Sequence, residues 1–206
     1  VKGADGETTL SLASGGILSA GLIVVATGGQ PRVEYLAGSG VEVGQGILVD
    51  ERMRTNVTGL WAAGDVAQAR GFFESSKILN ATLPNAVEQG RIAGMDMVDD
   101  PALKVYQGAL ALNTYKFFGH RAFSVGMIRA EEGCEVEKVA VPESFKYQKL
   151  LFKEDRLVGA SGINSDLDPG VMVQLIRREA YLGDVKARFC ISPVDISRVM
   201  MTSMWR

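Results

Sequence analysis
Leu60-Trp61-Ala62-Ala63-Gly64-Asp65 reads as a short buried strand running straight into a Gly-Asp corner, with Ala67 onward leaving the sheet. Glycine at such a corner lets a ligand approach the backbone, and the carboxylate after it stands at the strand's carboxyl edge. Ligands of open α/β sheets bind at that edge. An ionised Asp only accepts hydrogen bonds, so it suits hydroxyl groups. Taken alone, Gly-Asp is also a common turn pair, and turn statistics favour that plainer reading.

The neighbouring segments shift the balance. Upstream, Leu22-Ile23-Val24-Val25-Ala26-Thr27-Gly28 is an unbroken apolar run ending in Thr-Gly, and Pro31 follows. Gly46-Ile47-Leu48-Val49-Asp50 and Arg54-Thr55-Asn56 lie between it and the Gly-Asp corner. In this order, over residues 20 to 98, they resemble the second FAD-binding segment of the flavin-dependent pyridine nucleotide-disulfide oxidoreductases. Ser19-Ala20-Gly21 departs from that pattern, which commonly has an acidic residue there. The resemblance implies a partial FAD/NAD(P)-binding α/β domain over residues 1 to 105. FAD is the implied cofactor and NAD(P)H the implied electron donor. Asp65 would hold a ribityl hydroxyl, Gly64 would permit the approach, and Ala86 and Val87 would offer backbone N–H groups to the pyrimidine edge of the flavin. Thr27 and Gly28 would lie near the crossover and the cofactor. Asp65 and the helix mouth at Ala86 are expected to face one shared hollow.

Two negatives bound this reading. Gly38-Ser39-Gly40 would need a glycine at Val43 to complete a dinucleotide fingerprint, and Gly15-Gly16 fails the same test. Neither phosphate-cradling loop of a two-dinucleotide flavoenzyme is legible. The chain also begins at Val1, in what the resemblance marks as mid-domain. A missing N-terminal half is therefore expected, and these 206 residues are expected to be inactive alone.

Leu83-Pro84-Asn85-Ala86-Val87-Glu88-Gln89-Gly90 opens a helix, with Pro84 in its first turn, that should end near Val98 before Asp99-Asp100-Pro101. Its free N–H groups and positive dipole end favour negative charge, such as a reduced flavin carries. An ordinary amphipathic helix is the plainer alternative. Ala86, Ile92, Ala93 and Met97 form a face of partly small residues, and Gly90 and Gly94 inside the helix hint at close packing. Residues 66 to 83 read as an irregular link, and Pro101 to Gln107 as a linker.

The pattern then changes. Ala111–Phe117, Ala122–Ile128, Val136–Val141, Lys146–Lys153 and Leu157–Ile163 read as closely spaced strands, hence hairpins and an antiparallel sheet. Asp168 is placed to cap a helix running to about Tyr181, and Ser192 one covering Pro193 to Met201. This makes residues 106 to 206 an α+β unit. The stretches NTYKFFGHRAFSVG, KYQKLLFKEDRLVGA and DPGVMVQLIRR resemble the C-terminal interface domain of the NADH oxidase, coenzyme A-disulfide reductase and nitrite reductase large-subunit branch. The resemblance implies a homodimer formed through this domain, with Met200, Met201, Met204 and Trp205 as interface or, equally, core residues. Tyr115 and Tyr147 would reach a substrate in some members of that branch, although strand packing is the plainer role.

Composition closes off other classes. A net charge of −2 gives no footprint for nucleic acid or an anionic membrane, and no apolar run reaches the roughly 18 residues of a membrane span. His120, the single His, sits in a Gly-flanked turn and cannot build a multi-His metal site, so no metal and no catalytic residue are assigned. Cys134 and Cys190 show no CxxC spacing and read as inert thiols in a reducing cytoplasm. Two functions remain: part of an FAD-dependent NAD(P)H oxidoreductase, or a non-catalytic dimerisation and assembly module derived from one.

Overall fold
The computed structural model describes residues 2–4 and 7–204. The chain divides into two compact units, Val1–Gln30 and Pro31–Arg206. In the first, β1 (Lys2–Ala4), β2 (Glu7–Ser11) and β3 (Ile17–Ala20) form an antiparallel meander. The expected buried strand at Leu22–Ala26 is absent: the run is irregular, with Leu22, Val24 and Val25 exposed. A buried strand needs paired neighbours and cover on both faces. Among the described residues none pairs with this run.

The second unit holds two hydrophobic cores, one drawn from residues between Ile47 and Ala109, the other starting at Leu110. Around the first lie β4 (Ile47–Leu48), β5 (Ala67–Arg70) and β6 (Lys77–Leu79), with β5 parallel to β4 and antiparallel to β6. Here the sequence reading needs correction. Leu60 to Asp65 contributes one isolated bridge, Trp61 to Arg54, and the sheet strand begins after the Gly-Asp corner. The reason is backbone geometry. Gly64 has φ +83° and its carbonyl accepts from the Ala67 N–H at 2.9 Å, so the chain turns first and pairs afterwards. Residues 66 to 83 are accordingly not an irregular link, since they carry β5 and β6.

Helix α1 (Leu83–Met97) follows, with Pro84 in its first turn. Its buried face is Asn85, Gln89, the adjacent Ile92 and Ala93, and Asp96, recurring at three- and four-residue steps, and three of these five are polar. Met97, expected on that face, is exposed. Among the described residues Gly90 and Gly94 have no packing partner either, because a Cβ at either would meet nothing within 4 Å. The supposed linker after the helix buries Tyr106 to 1% exposure.

The second core lies under a five-stranded antiparallel sheet of β7 (Leu112–Phe117), β8 (His120–Gly126), β9 (Glu135–Val141), β10 (Lys146–Lys153) and β11 (Arg156–Ile163), ordered β7-β8-β11-β10-β9. Val125, Leu150, Phe152 and Ala160 point to the helical layer. Gly159 stands against the Met127 carbonyl, too close for any Cβ. Asp168 caps α2 (Pro169–Arg177) by accepting from the Val171 N–H at 3.0 Å. That helix stops at Arg177, short of the expected Tyr181. A short α3 (Lys186–Ile191), not expected, precedes α4 (Pro193–Met204). Trp205 and the side chain of Met204 lie outside the described residues. An Arg177–Glu88 ion pair at 2.7 Å ties α2 to α1, and so one core to the other. No described helix is long and apolar enough to cross a membrane.

Candidate functional site
The Gly64 corner and the mouth of α1 come together. A Cβ built on Gly64 would stand 3.6 Å from the Ala86 Cβ, so the two backbones are near neighbours. The Gly64 N–H donates to Gln89 Oε1 at 2.8 Å. Asp65 beside it is exposed, and among the described residues its carboxylate has no hydrogen-bond partner. Val87 is 62% exposed on the first turn of the helix. Thr27 and Gly28 belong to the other unit, where both are exposed and Gly28 has φ +86°.

Helix geometry decides which donors the mouth offers. The Ala86 N–H is already committed to the Thr82 carbonyl at 3.0 Å, and the Thr82 N–H to Asn80 O at 2.9 Å. Pro84 has no N–H, so the first turn leaves those of Leu83 and Asn85 without an intrahelical acceptor. Thr82, at the N-cap, makes no side-chain cap, and its hydroxyl is buried without a hydrogen-bond partner among the described residues. The arrangement suits a ligand edge rich in acceptors, beside a carboxylate suited to hydroxyls.

Behind the corner lie polar side chains that sequence reasoning missed. Asp96, 3% exposed, accepts from Arg52 Nη1 at 3.0 Å, Arg54 Nε at 2.5 Å, Arg54 Nη2 at 2.9 Å and Trp61 Nε1 at 2.9 Å. The Arg54 hydrogen bonds, helped by Trp61 and Arg52, outweigh burial and hold its carboxyl down to about 2. The same hydrogen bond, and then the Asp96 charge, raises Arg54 in turn. This clamp joins residues 52 to 61 to α1 and thereby sets where the Gly64 corner starts. One sequence signal was available: Asp96 falls three and four residues after Ala93 and Ile92, on the buried face, and a buried carboxylate requires a cation. Asn85, Gln89 and Tyr106 form a second buried set. The Tyr106 hydroxyl donates to Asn85 Oδ1, and burial pushes it up to about 12.

The other singled-out residues lie elsewhere. Tyr115, 58% exposed, lines a cavity of about 890 Å³ together with Phe73, Ile78, Asn80 and Ser124. Tyr147 is half-buried under the Lys138 ammonium, 5.6 Å from its ring centroid. His120 opens β8, against the Phe145 ring and 2.8 Å from Asn164 Nδ2. Cys134 and Cys190 are free and half-exposed, and partial burial raises the Cys190 thiol.

Comparison with known proteins bears on the family and the fold. Residues 1–90 match the family model of pyridine nucleotide-disulphide oxidoreductases, and residues 112–164 that of the rubredoxin NAD+ reductase C-terminal domain. The chain is 48% identical over 198 residues to the NADH-dependent phenylglyoxylate dehydrogenase subunit epsilon of Aromatoleum evansii, covering 96% of this chain and 47% of that protein. It is 38% identical over 167 residues to a rubredoxin-NAD(+) reductase of Pseudomonas putida, covering 80% of this chain and 42% of the relative. The chain thus spans less than half the length of each. Its fold is that of an FAD-dependent pyridine nucleotide-disulphide oxidoreductase from Desulfovibrio vulgaris, with a TM-score of 0.71 at 21% identity, over 100% of this chain and 54% of that one.

Proposed function
Because this chain belongs to the pyridine nucleotide-disulphide oxidoreductase family, we propose that it supplies the flavin-facing corner and the C-terminal domain of an FAD-dependent NAD(P)H oxidoreductase. The observation carrying this is the meeting of the Gly64 corner with the mouth of α1 at Ala86. The residues present fit a flavin: the Thr82 hydroxyl is orphaned at the mouth, and two first-turn N–H groups lack helical acceptors. FAD, when bound, supplies the two-electron chemistry between NAD(P)H and an acceptor.

The chain's own residues bind and orient. Asp65 accepts from ribityl hydroxyls. Gly64, without a side chain, leaves room beside them. The α1 mouth, with Ala86 and Val87 in its first turn, presents its positive end to the pyrimidine edge, where reduction places negative charge. Thr27 and Gly28 enter the reading on the family resemblance. Residues 1–105 act as cofactor-binding domain and 106–206 as dimerisation domain, in keeping with one core that ends at Ala109 and another that starts at Leu110. A homodimer through the latter fits β9, an edge strand exposed along its whole length. A cytoplasmic location fits the free thiols of Cys134 and Cys190.

The test uses the natural full-length protein. It should carry a flavin absorbance that NADH or NADPH bleaches. Asp65→Ala should weaken FAD binding by about 10- to 100-fold, as expected for lost charge-assisted hydrogen bonds. A correctly folded, colourless full-length protein that takes up no added FAD would place the chain in the other class, an assembly module. Undiminished FAD affinity in the Asp65 variant would remove that residue from the site.

A further inference from the structure
The buried face of α1 carries more polar groups than helix packing needs, and they are joined end to end. The Gly64 N–H donates to Gln89 Oε1 at 2.8 Å. Gln89 Nε2 donates to the Tyr106 hydroxyl at 3.5 Å. That hydroxyl donates to Asn85 Oδ1, and Asn85 Nδ2 donates to the Asn80 carbonyl at 2.9 Å. Gln89 and Tyr106 are 1% exposed and Asn85 4%, so each link sits out of water, where an unmatched polar atom is costly. The chain of bonds has a direction. Each amide has its carbonyl and NH2 ends assigned by a neighbour, and the phenol, as both acceptor and donor, joins the two amides. No carboxylate or aliphatic side chain at 106 could do both. Tyr106 is itself pinned by its N–H to Glu51 O at 2.8 Å, on the segment that leads to the five-stranded sheet.

We propose that Tyr106 is a positioning residue for the cofactor corner, setting the Gly64 backbone and the start of α1 in their ligand-ready relation before FAD arrives. The inference rests on the proposed flavin site and deepens it. Tyr106 need touch no ligand. It holds Gln89, Gln89 holds the Gly64 N–H, and Gly64 keeps the φ of +83° that aims the chain into Asp65. Through Asn85 the same hydroxyl holds the 80–85 entry to the helix mouth. Burial keeps the phenol protonated far above neutral pH, so the donor to Asn85 is always present.

The test is Tyr106→Phe in the full-length protein, which keeps the ring and its packing. Two quantities are read: amide hydrogen exchange at Gly64 in the cofactor-free protein, and FAD affinity. Exchange at Gly64 should speed up about tenfold or more, and FAD binding should weaken about tenfold, as for the loss of a buried hydrogen bond. Protection of Val125 and Leu150 in the other core should stay as in the natural protein. A fall in FAD affinity with Gly64 exchange unchanged overturns the proposal, as does no change in either. Gln89→Leu, apolar and with no acceptor for the Gly64 N–H, gives the same readout should the Tyr106 variant fold poorly. Unchanged Gly64 protection there also overturns it. If the natural protein binds no FAD, the functional reading fails, whereas Gly64 exchange still decides whether Tyr106 holds the corner.

Discussion

Asp96→Asn tests the clamp behind the corner. The substitution keeps the shape of the side chain and removes only its charge. Asp96 is held at about 2 against an ordinary 3.8, a difference worth about 2.5 kcal/mol between charged and neutral forms. The partners Arg52 and Arg54 are 47% and 45% exposed, so solvent screening reduces the contribution to about 1–2 kcal/mol. Because the carboxyl is more acidic folded than unfolded, this stability is complete above about pH 5 and disappears as pH falls through about 2, with roughly half gone by pH 3. Urea denaturation of the full-length protein and its Asn variant, followed by tryptophan fluorescence at pH 7, 5, 4 and 3, reads this directly. The gap between the two should be constant from pH 7 to 5 and close by about half at pH 3. Other carboxylates titrate in both proteins and cancel in the difference. A gap of the same size at pH 7 and pH 3, or one below about 0.5 kcal/mol at pH 7, would refute the charge-pairing argument.

Two further substitutions probe the backbone. Gly64→Ala places a side chain at φ +83° without a clash, since its nearest neighbour is the Ala86 Cβ at 3.6 Å. The cost is therefore conformational, about 1–2 kcal/mol by urea denaturation, and a cost-free variant would contradict the left-handed geometry. Asp168→Ala removes the acceptor for the Val171 N–H, so the melting temperature should fall by an amount equivalent to about 1 kcal/mol. An unchanged melting temperature would show that α2 starts without its cap.

Sequence alone determined those parts whose cause is local. Pro84 and the Asp99-Asp100-Pro101 stop bracket α1. Asp168-Pro169 opens α2, and the short turns between apolar stretches set the hairpins β7–β8, β9–β10 and β10–β11, whereas the β8–β11 pairing that joins them is long-range. The order of Gly64, Asp65 and the α1 start was legible too, because each is a turn or cap signal within a few residues. What tertiary structure decided were the pairings that span the chain. Ala67–Arg70, not Leu60–Asp65, joins the sheet, because a parallel partner 20 residues away and a left-handed glycine settle the register. Leu22–Ala26 has every local mark of a strand and, among the described residues, no partner to make it one. Asp96 meets Arg52, Arg54 and Trp61, and Tyr106 meets Asn85 and Gln89, only once helix and corner are packed. A side chain's spacing shows which face it occupies, but the charge or hydroxyl awaiting it on that face comes from a distant segment, and only the folded chain brings the two within bonding distance.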